Sequence, residues 1–106
     1  MKINIRPLPY YQMTKILDDN NYTFVVRWIE KTEKWYMDID GISNDVSIKN
    51  IALLPGLDLL SSYGYSDLLG ELHLIDNSSS DDPPDYDNVG VRFTLEYTPR
   101  HNNAIV

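Results

Sequence analysis

The sequence predicts an all-β protein, a small antiparallel β-barrel or β-sandwich of about six or seven short strands with one short helix. Two observations support this prediction. Short runs rich in aromatic and β-branched residues alternate between apolar and polar positions, and clusters of Gly, Pro, Asn, Asp and Ser separate the runs. A chain of 106 residues is long enough for one independent core. We therefore expect a single β domain over residues 1–98 and a flexible C-terminal tail over residues 99–106.

The N-terminal part of the chain contains two predicted strands. Residues Lys2–Arg6 alternate and stop at a Pro-Leu-Pro segment, whose prolines cannot donate hydrogen bonds within a sheet. A second strand covers Tyr11–Leu17 and ends at Asp18–Asn21, where four short polar side chains favour a turn. The next strand begins at Tyr22, so a first hairpin is expected here.

The central predicted element is a second hairpin, formed by Tyr22–Ile29 and Lys34–Gly41. Because strand side chains alternate, each of these strands has one apolar face. The two faces meet in one core only when the connecting loop has an even number of residues. We expect the structural core to contain Phe24, Val26, Trp28, Trp35, Met37, Ile39, Phe93 and Leu95.

Two registers of this hairpin satisfy the even-loop condition. A four-residue loop, 31–34, would pair Trp28 with Met37, whereas a two-residue loop would pair Trp28 with Trp35. Both registers bury a continuous aromatic ladder, so the sequence leaves them open.

After the hairpin the sequence predicts a turn, a strand and the short helix. Ile42–Asp45 has the composition of a turn, and Val46–Leu54 is extended. In Leu57–Gly64 the apolar residues change to helical spacing, Asp58 suits the N-terminal end and Gly64 suits the exit. A helix of one or two turns is expected, which must pack on the sheet to be stable.

Two further strands and a long loop complete the predicted domain. The strands are Gly70–Asp76 and Val91–Tyr97. Between them, Asn77–Asn88 contains three serines, four aspartates and two prolines, with Tyr86 as its one large apolar residue. We expect a long exposed loop, and such loops in small domains tend to be functional.

The charge of the chain argues against nucleic acid as a partner. The formal net charge is -7, and no Lys or Arg occurs between Lys49 and Arg92, a stretch that contains eight acidic residues. A phosphate backbone requires the opposite sign, so we expect no nucleic-acid binding. The alternative role of this stretch is a solvated acidic face that keeps the protein soluble.

No metal or cofactor site is expected. The best metal candidates are the four aspartates of the long loop, but their spacing does not match the calcium loop of helical calcium-binding proteins, and a glycine is missing where that loop turns. These residues are Asp81, Asp82, Asp85 and Asp87. Asp38 and Asp40 lie on one face of a strand, where cross-strand pairing with Arg27 is the simpler role.

Catalytic residues are not expected either. The two histidines, His73 and His101, have no serine motif near them, and the chain has no cysteine. A cysteine-free chain fits synthesis in a reducing compartment. The N-terminus shows neither a secretory signal nor a transmembrane segment, so we expect a soluble protein without membrane contact.

Four segments taken in order resemble the phage baseplate plug family of contractile-tailed bacteriophages. The first is the central hairpin, with VRW at Val26–Trp28 and WYMDI at Trp35–Ile39. The other three are LPGLDLL at Leu54–Leu60, GELHLID at Gly70–Asp76 and YDNVGVRFTLEY at Tyr86–Tyr97. The chain departs from the family pattern in two places: no glycine stands in the hairpin loop, and Lys and Asn occupy positions 49 and 50, where a glycine is common.

This resemblance implies a non-enzymatic structural virion protein of the tail baseplate. Such a protein plugs or adapts the axial channel formed by tail tube, hub and spike proteins, which are its expected partners, and a homo-oligomer on the tail axis is compatible with that position. It is made in the cytoplasm of a bacterial host. We expect the loops to make the partner contacts, through Lys31, Glu33, Asp81, Asp82, Asp85, Tyr86 and Asp87.

Two other functions remain open from the sequence. A small ligand-binding or carbohydrate-binding β module would use Trp28 and Trp35 together with the acidic loop. An immunity-type or inhibitor protein would use the acidic surface against a basic partner.

Overall fold

A computed structural model of the chain describes residues 1–65, 69–78 and 92–99 and the single positions 84, 86 and 89. The all-β prediction is confirmed for these residues. Seven strands follow one another along the chain: β1 (Lys2–Ile3), β2 (Tyr10–Leu17), β3 (Asn20–Ile29), β4 (Lys34–Gly41), β5 (Ser47–Ala52), β6 (Glu71–Asp76) and β7 (Phe93–Thr98).

The strands form two antiparallel sheets. One has the order β2-β3-β4-β5, and the other has the order β1-β7-β6. Within the described ranges no ladder closes the two sheets into a single barrel, so the barrel alternative is not supported. The first and last strands pair with each other, since Ile3 lies opposite Leu95.

Apolar side chains of both sheets lie in one buried cluster. In the four-stranded sheet, Tyr22, Phe24 and Val26 alternate with less buried neighbours and are inaccessible to solvent. The three-stranded sheet adds Phe93 and Leu95, which are also fully buried. Each such side chain contributes roughly 1.5–3 kcal/mol through burial, so this cluster dominates the stability of the fold.

The central hairpin adopts the register that pairs Trp28 with Trp35. The register that pairs Trp28 with Met37 is therefore wrong. The ladder ends at Ile29 opposite Lys34, which leaves a four-residue loop, 30–33. The even loop length keeps the apolar faces of β3 and β4 on the same side of the sheet.

The predicted short helix is absent, because residues 59–62 form turns that bends flank on both sides. The Asp58 carboxylate accepts hydrogen bonds from the backbone N–H groups of Leu60 (3.1 Å) and Leu72 (2.9 Å). The Leu59 N–H donates to the Leu72 carbonyl at 2.7 Å. This segment is therefore bonded across to β6, and a run of seven residues is too short for helix formation to compete.

Candidate functional site

The tip of the β3–β4 hairpin is the first part of the candidate site. Its loop is closed by the N–H groups of Thr32 and Glu33, which donate to the Ile29 carbonyl at 3.2 and 2.8 Å. Glu33 has a left-handed backbone conformation, with φ of 53°. Lys31 and Glu33 are both exposed, so this tip presents charges of both signs to solvent.

An aromatic cluster lies directly beside the loop of the same hairpin. The Tyr86 ring stacks on the Trp35 ring, with centroids 5.6 Å apart and planes inclined by 5°. Trp28 meets Tyr86 edge-on at 5.6 Å and lies 5.4 Å from Trp35. Trp35 is fully buried, whereas Trp28 is half-buried and packs against the core. Tyr86 belongs to the long acidic loop, so the cluster joins that loop to the hairpin.

A second contact fixes the base of the acidic loop. The Arg92 guanidinium donates from Nε and one terminal nitrogen to the two carboxylate oxygens of Asp76, each at 2.8 Å. The Asp76 side chain is only 1% exposed. The Asn77 N–H also donates to the Arg92 carbonyl at 2.8 Å. Because a bidentate pair fixes both distance and orientation, the two ends of the loop are held together.

The acidic loop is anchored more firmly than the sequence predicted. Pro84 is buried and Val89 is fully buried, and Tyr86 is half-buried in the aromatic cluster. The expectation of an exposed loop over 77–88 is therefore wrong at Pro84 and Tyr86, and the buried Val89 directly follows that loop. The predicted contact residues Asp81, Asp82, Asp85 and Asp87 lie outside the described residues.

An open recess adjoins the aromatic cluster. It has a volume of about 380 Å³ and is lined by Pro9, Trp28, Glu30 and Tyr86. The Trp28 Nε1–H donates to the Glu30 carboxylate at 2.7 Å, which holds the indole ring beside the recess. The hairpin tip, the aromatic cluster and this recess together form one continuous region, which we call the tip face.

Some of the acidic residues between Lys49 and Arg92 have structural roles. Asp58 accepts backbone hydrogen bonds and Asp76 pairs with Arg92, so neither is a free surface charge. Glu71 is exposed. The other acidic residues of the stretch lie outside the described ranges, and only those residues and Glu71 are left to form an acidic surface.

The outer face of the four-stranded sheet carries an ion-pair network around a β-bulge. The Asp38 carboxylate accepts from Arg27 at 2.6 Å and from the Asn50 N–H at 2.8 Å. Arg27 also donates to the Asn50 side chain. Pairing of Arg27 with Asp38 was expected, but the two residues lie diagonally, because Arg27 is directly opposite Tyr36.

This network stabilises the charged form of Asp38. Desolvation by burial alone would raise the pKa of Asp38, but the hydrogen bonds from the Asn50 N–H and Arg27, with the positive charge of Arg27, outweigh it. The net effect lowers the pKa of this carboxyl. Asn50 has φ of 60° at the bulge, a conformation that Asn tolerates better than most residues. This role of Asn50 was not predicted from the sequence, although a non-glycine pair at 49–50, where a glycine is common, was a signal for it.

A hydrogen bond connects the two sheets at the opposite end of the molecule. The Tyr97 hydroxyl in β7 donates to the Asp18 carboxylate and accepts from the Gly70 N–H at 2.6 Å. Asp18 and Asp19 both have positive φ, in the two-residue turn between β2 and β3. Burial and the hydrogen bond to Asp18 raise the pKa of Tyr97.

Metal-ligating side chains are not gathered in the described part of the chain. His73 Nε2 lies 3.9 Å from a Glu71 carboxylate oxygen, and no group of three or more metal-ligating side chains is found in these ranges. His101 lies outside the described residues. In the same ranges, no helix has the length and apolar character needed to span a membrane.

Comparison with known proteins gives one match that covers most of the chain. No curated protein matches it significantly. A family model described as "Cyanophage baseplate Pam3 plug gp18" matches residues 1–100 of the 106 residues.

Proposed function

Because the chain belongs to the cyanophage baseplate plug family, we propose that it closes or adapts the axial channel of the phage tail as a non-enzymatic structural protein. Membership of this family gives a structural role in the baseplate, a location in the virion tail and contacts with other baseplate or tail proteins. The family match over residues 1–100 is the observation that carries the proposal. The proposed neighbours are the tail tube, hub and spike proteins that surround the channel.

The tip face is the proposed contact surface for these neighbours. Lys31 and Glu33 extend from the β3–β4 hairpin, and Tyr86 connects the acidic loop to that hairpin. Half-buried aromatic side chains with a charged rim are typical of protein interfaces. Arg92 and Asp76 support the surface from below, because they fix the ends of the loop.

The absence of Lys and Arg between Lys49 and Arg92 suits a channel through which DNA passes. Acidic side chains repel phosphate groups, and the repulsion reaches about 8–10 Å at moderate ionic strength. Charge reversal of Asp81, Asp82, Asp85 and Asp87 is expected to impair assembly or DNA delivery. If both were unchanged, this electrostatic role would be wrong.

Mass spectrometry of purified phage particles tests the structural role directly. The protein should be present in virions and enriched in isolated baseplates, and its absence from virions would refute the proposal. Particles assembled without it should lose DNA from the tail end when warmed, measured as nuclease-sensitive DNA. Full DNA retention would argue for an adaptor and against a seal.

A matched pair of charge reversals tests the tip face. Glu33 precedes β4 and Asp45 follows it, and both are exposed acids in turns at opposite ends of the same strand. Glu33→Lys should reduce incorporation into baseplates, whereas Asp45→Lys should not. Equal incorporation of both variants would exclude the tip as a contact.

A ligand-binding or carbohydrate-binding module is the second candidate, and the recess beside Trp28 is the observation that favours it. Sugar rings stack on exposed aromatic faces, and Trp28 is only half-buried. Titration with a glycan panel tests this function through tryptophan emission. A saturable change that Trp28→Phe abolishes would support it, and no change with any glycan would count against it.

A further inference from the structure

We propose that two copies of this chain associate through β2, to form one continuous eight-stranded sheet across a two-fold axis. The inference begins from the two edges of the four-stranded sheet. The edge strand β5 is interrupted by the bulge at Asn50 and carries Lys49 beside it. Bulges and lysines are known devices against pairing with another chain. β2, at the other edge, has eight residues with an unbroken ladder to β3 and no proline.

Every second residue of β2 directs its backbone N–H and C=O groups away from β3, as pairing with another strand requires. The Trp28 N–H donates to the Pro9 carbonyl at 3.0 Å, which makes residue 9 the first hydrogen-bonded position of the ladder. Hydrogen-bonded and non-bonded positions alternate in an antiparallel pair. The N–H and C=O groups of residues 10, 12, 14 and 16 therefore point away from β3. Within the described residues no other strand covers them.

The side chains of β2 are complementary to those of a second, antiparallel copy. With a two-fold axis at Met13, Tyr10 lies opposite the second copy's Ile16, and Gln12 lies opposite the second copy's Thr14. Tyr10 and Ile16 are 66% and 62% exposed, the two highest values among large apolar side chains in the described part of the chain. Aromatic and β-branched residues form favourable cross-strand pairs.

The charge pattern also permits this register. Lys15 is the one charged residue in β2, and the two-fold axis places it opposite Tyr11 of the second copy. The two lysines are therefore separated by four residues along the strand, about 13 Å. The four outward positions of each copy would form about eight backbone hydrogen bonds. The interface is isologous, so it closes as a dimer and does not continue into a fibre.

Sedimentation equilibrium of the full chain tests the dimer. Over a range from about 1 µM to about 1 mM, the mass should rise from 12.3 kDa toward twice that value. Ile16→Lys should weaken association at least tenfold, because it removes both apolar pairs. Ile42→Lys is the matched control, since Ile42 is 60% exposed but lies outside β2, and it should associate like wild type. A wild-type chain that stays monomeric throughout, or equal weakening by both variants, would overturn the proposal.

Cysteine cross-linking tests the register. The chain has no cysteine, so Met13→Cys introduces a single thiol. Residue 13 would face its own copy at a non-bonded position, with Cα atoms about 4.5 Å apart, which suits a disulfide. Oxidised glutathione should therefore convert Met13→Cys, but not Lys15→Cys, into a covalent dimer. Cross-linking of Lys15→Cys alone, or of neither variant, would refute the two-fold arrangement at Met13.

The proposed dimer does not depend on the baseplate role. Sedimentation and cross-linking use the isolated chain, whereas the virion experiments measure incorporation into particles. A failure of one proposal is therefore distinguishable from a failure of the other.

Discussion

Replacement of Glu33 by glycine should stabilise the protein. Four non-glycine residues in the described ranges have positive φ, and Glu33 is the one among them that is neither Asn nor Asp. The left-handed conformation costs an L-residue roughly 1–2 kcal/mol. A glycine removes that strain but loses about 0.5–1 kcal/mol through the greater freedom of the unfolded chain. The net gain should be about 0.5–1 kcal/mol, or about 2–8 °C in melting temperature.

Two control variants isolate the backbone effect in this loop. Lys31 lies in the same loop without positive φ, so Lys31→Gly should destabilise the protein by about 0.5–1 kcal/mol. Glu33→Ala keeps the strain and should gain nothing. Urea unfolding followed by tryptophan emission measures all three variants. The reasoning is refuted if Glu33→Gly is no more stable than Glu33→Ala, or if it is destabilised like Lys31→Gly.

Three further predictions concern the Arg92–Asp76 ion pair, Gly41 and stability in acid. Arg92→Met should lower the free energy of unfolding by about 3 kcal/mol, because it leaves the buried Asp76 carboxylate without its guanidinium. Urea unfolding measures this change, and a loss below about 1 kcal/mol would contradict the prediction. Gly41→Ala should cost about 1–3 kcal/mol, since a Cβ there would overlap the Asn44 side-chain oxygen and lie 2.9 Å from the Asn44 backbone oxygen. An unchanged melting temperature would show that the turn relaxes freely. The folded-state pKa of Asp38 is lowered, so its stabilisation is present above about pH 4 and is lost as pH falls through that pKa. Asp38→Asn should therefore have a lower free energy of unfolding than wild type at neutral pH. The difference between the two proteins should shrink as the solution is acidified below about pH 4, and a difference that stays constant would contradict the lowered pKa of Asp38.

Residues that share a face of the central hairpin could be assigned from the sequence. Alternation puts Phe24 and Val26 on one side of β3 and Met37 and Ile39 on one side of β4, and all four are fully buried. A strand has a period of two wherever it pairs, so this assignment needs no knowledge of the partner. The register of the hairpin could not be assigned in this way, because both candidate registers bury the same side chains.

The two departures from the family pattern became informative only in three dimensions. Glu33 lies in the hairpin loop that lacks a glycine, and Asn50 belongs to the pair at 49–50 where a glycine is common. Both residues have positive φ. The sequence could mark these positions as unusual. It could not show that one residue is strained at a loop while the other is held at a bulge by Arg27 and Asp38.

The short helix shows how a local pattern can fail. Residues 57–63 have helical spacing, but the Leu59 N–H pairs with the carbonyl of Leu72 in β6, and the Asp58 carboxylate takes the Leu72 N–H. Helical spacing over seven residues is a weak preference, and a few long-range hydrogen bonds exceed it.

The all-β class, the apolar faces of the central strands and the order of the family segments could all be read from the amino-acid sequence. The pairing of β1 with β7, the stacking of Tyr86 on Trp35 and the open edge at β2 became visible only in the folded chain. These two groups of features differ in the range of the interactions that produce them. Alternation and turn preference act between neighbouring residues, whereas strand order and ring stacking depend on which distant segments bury the most surface together.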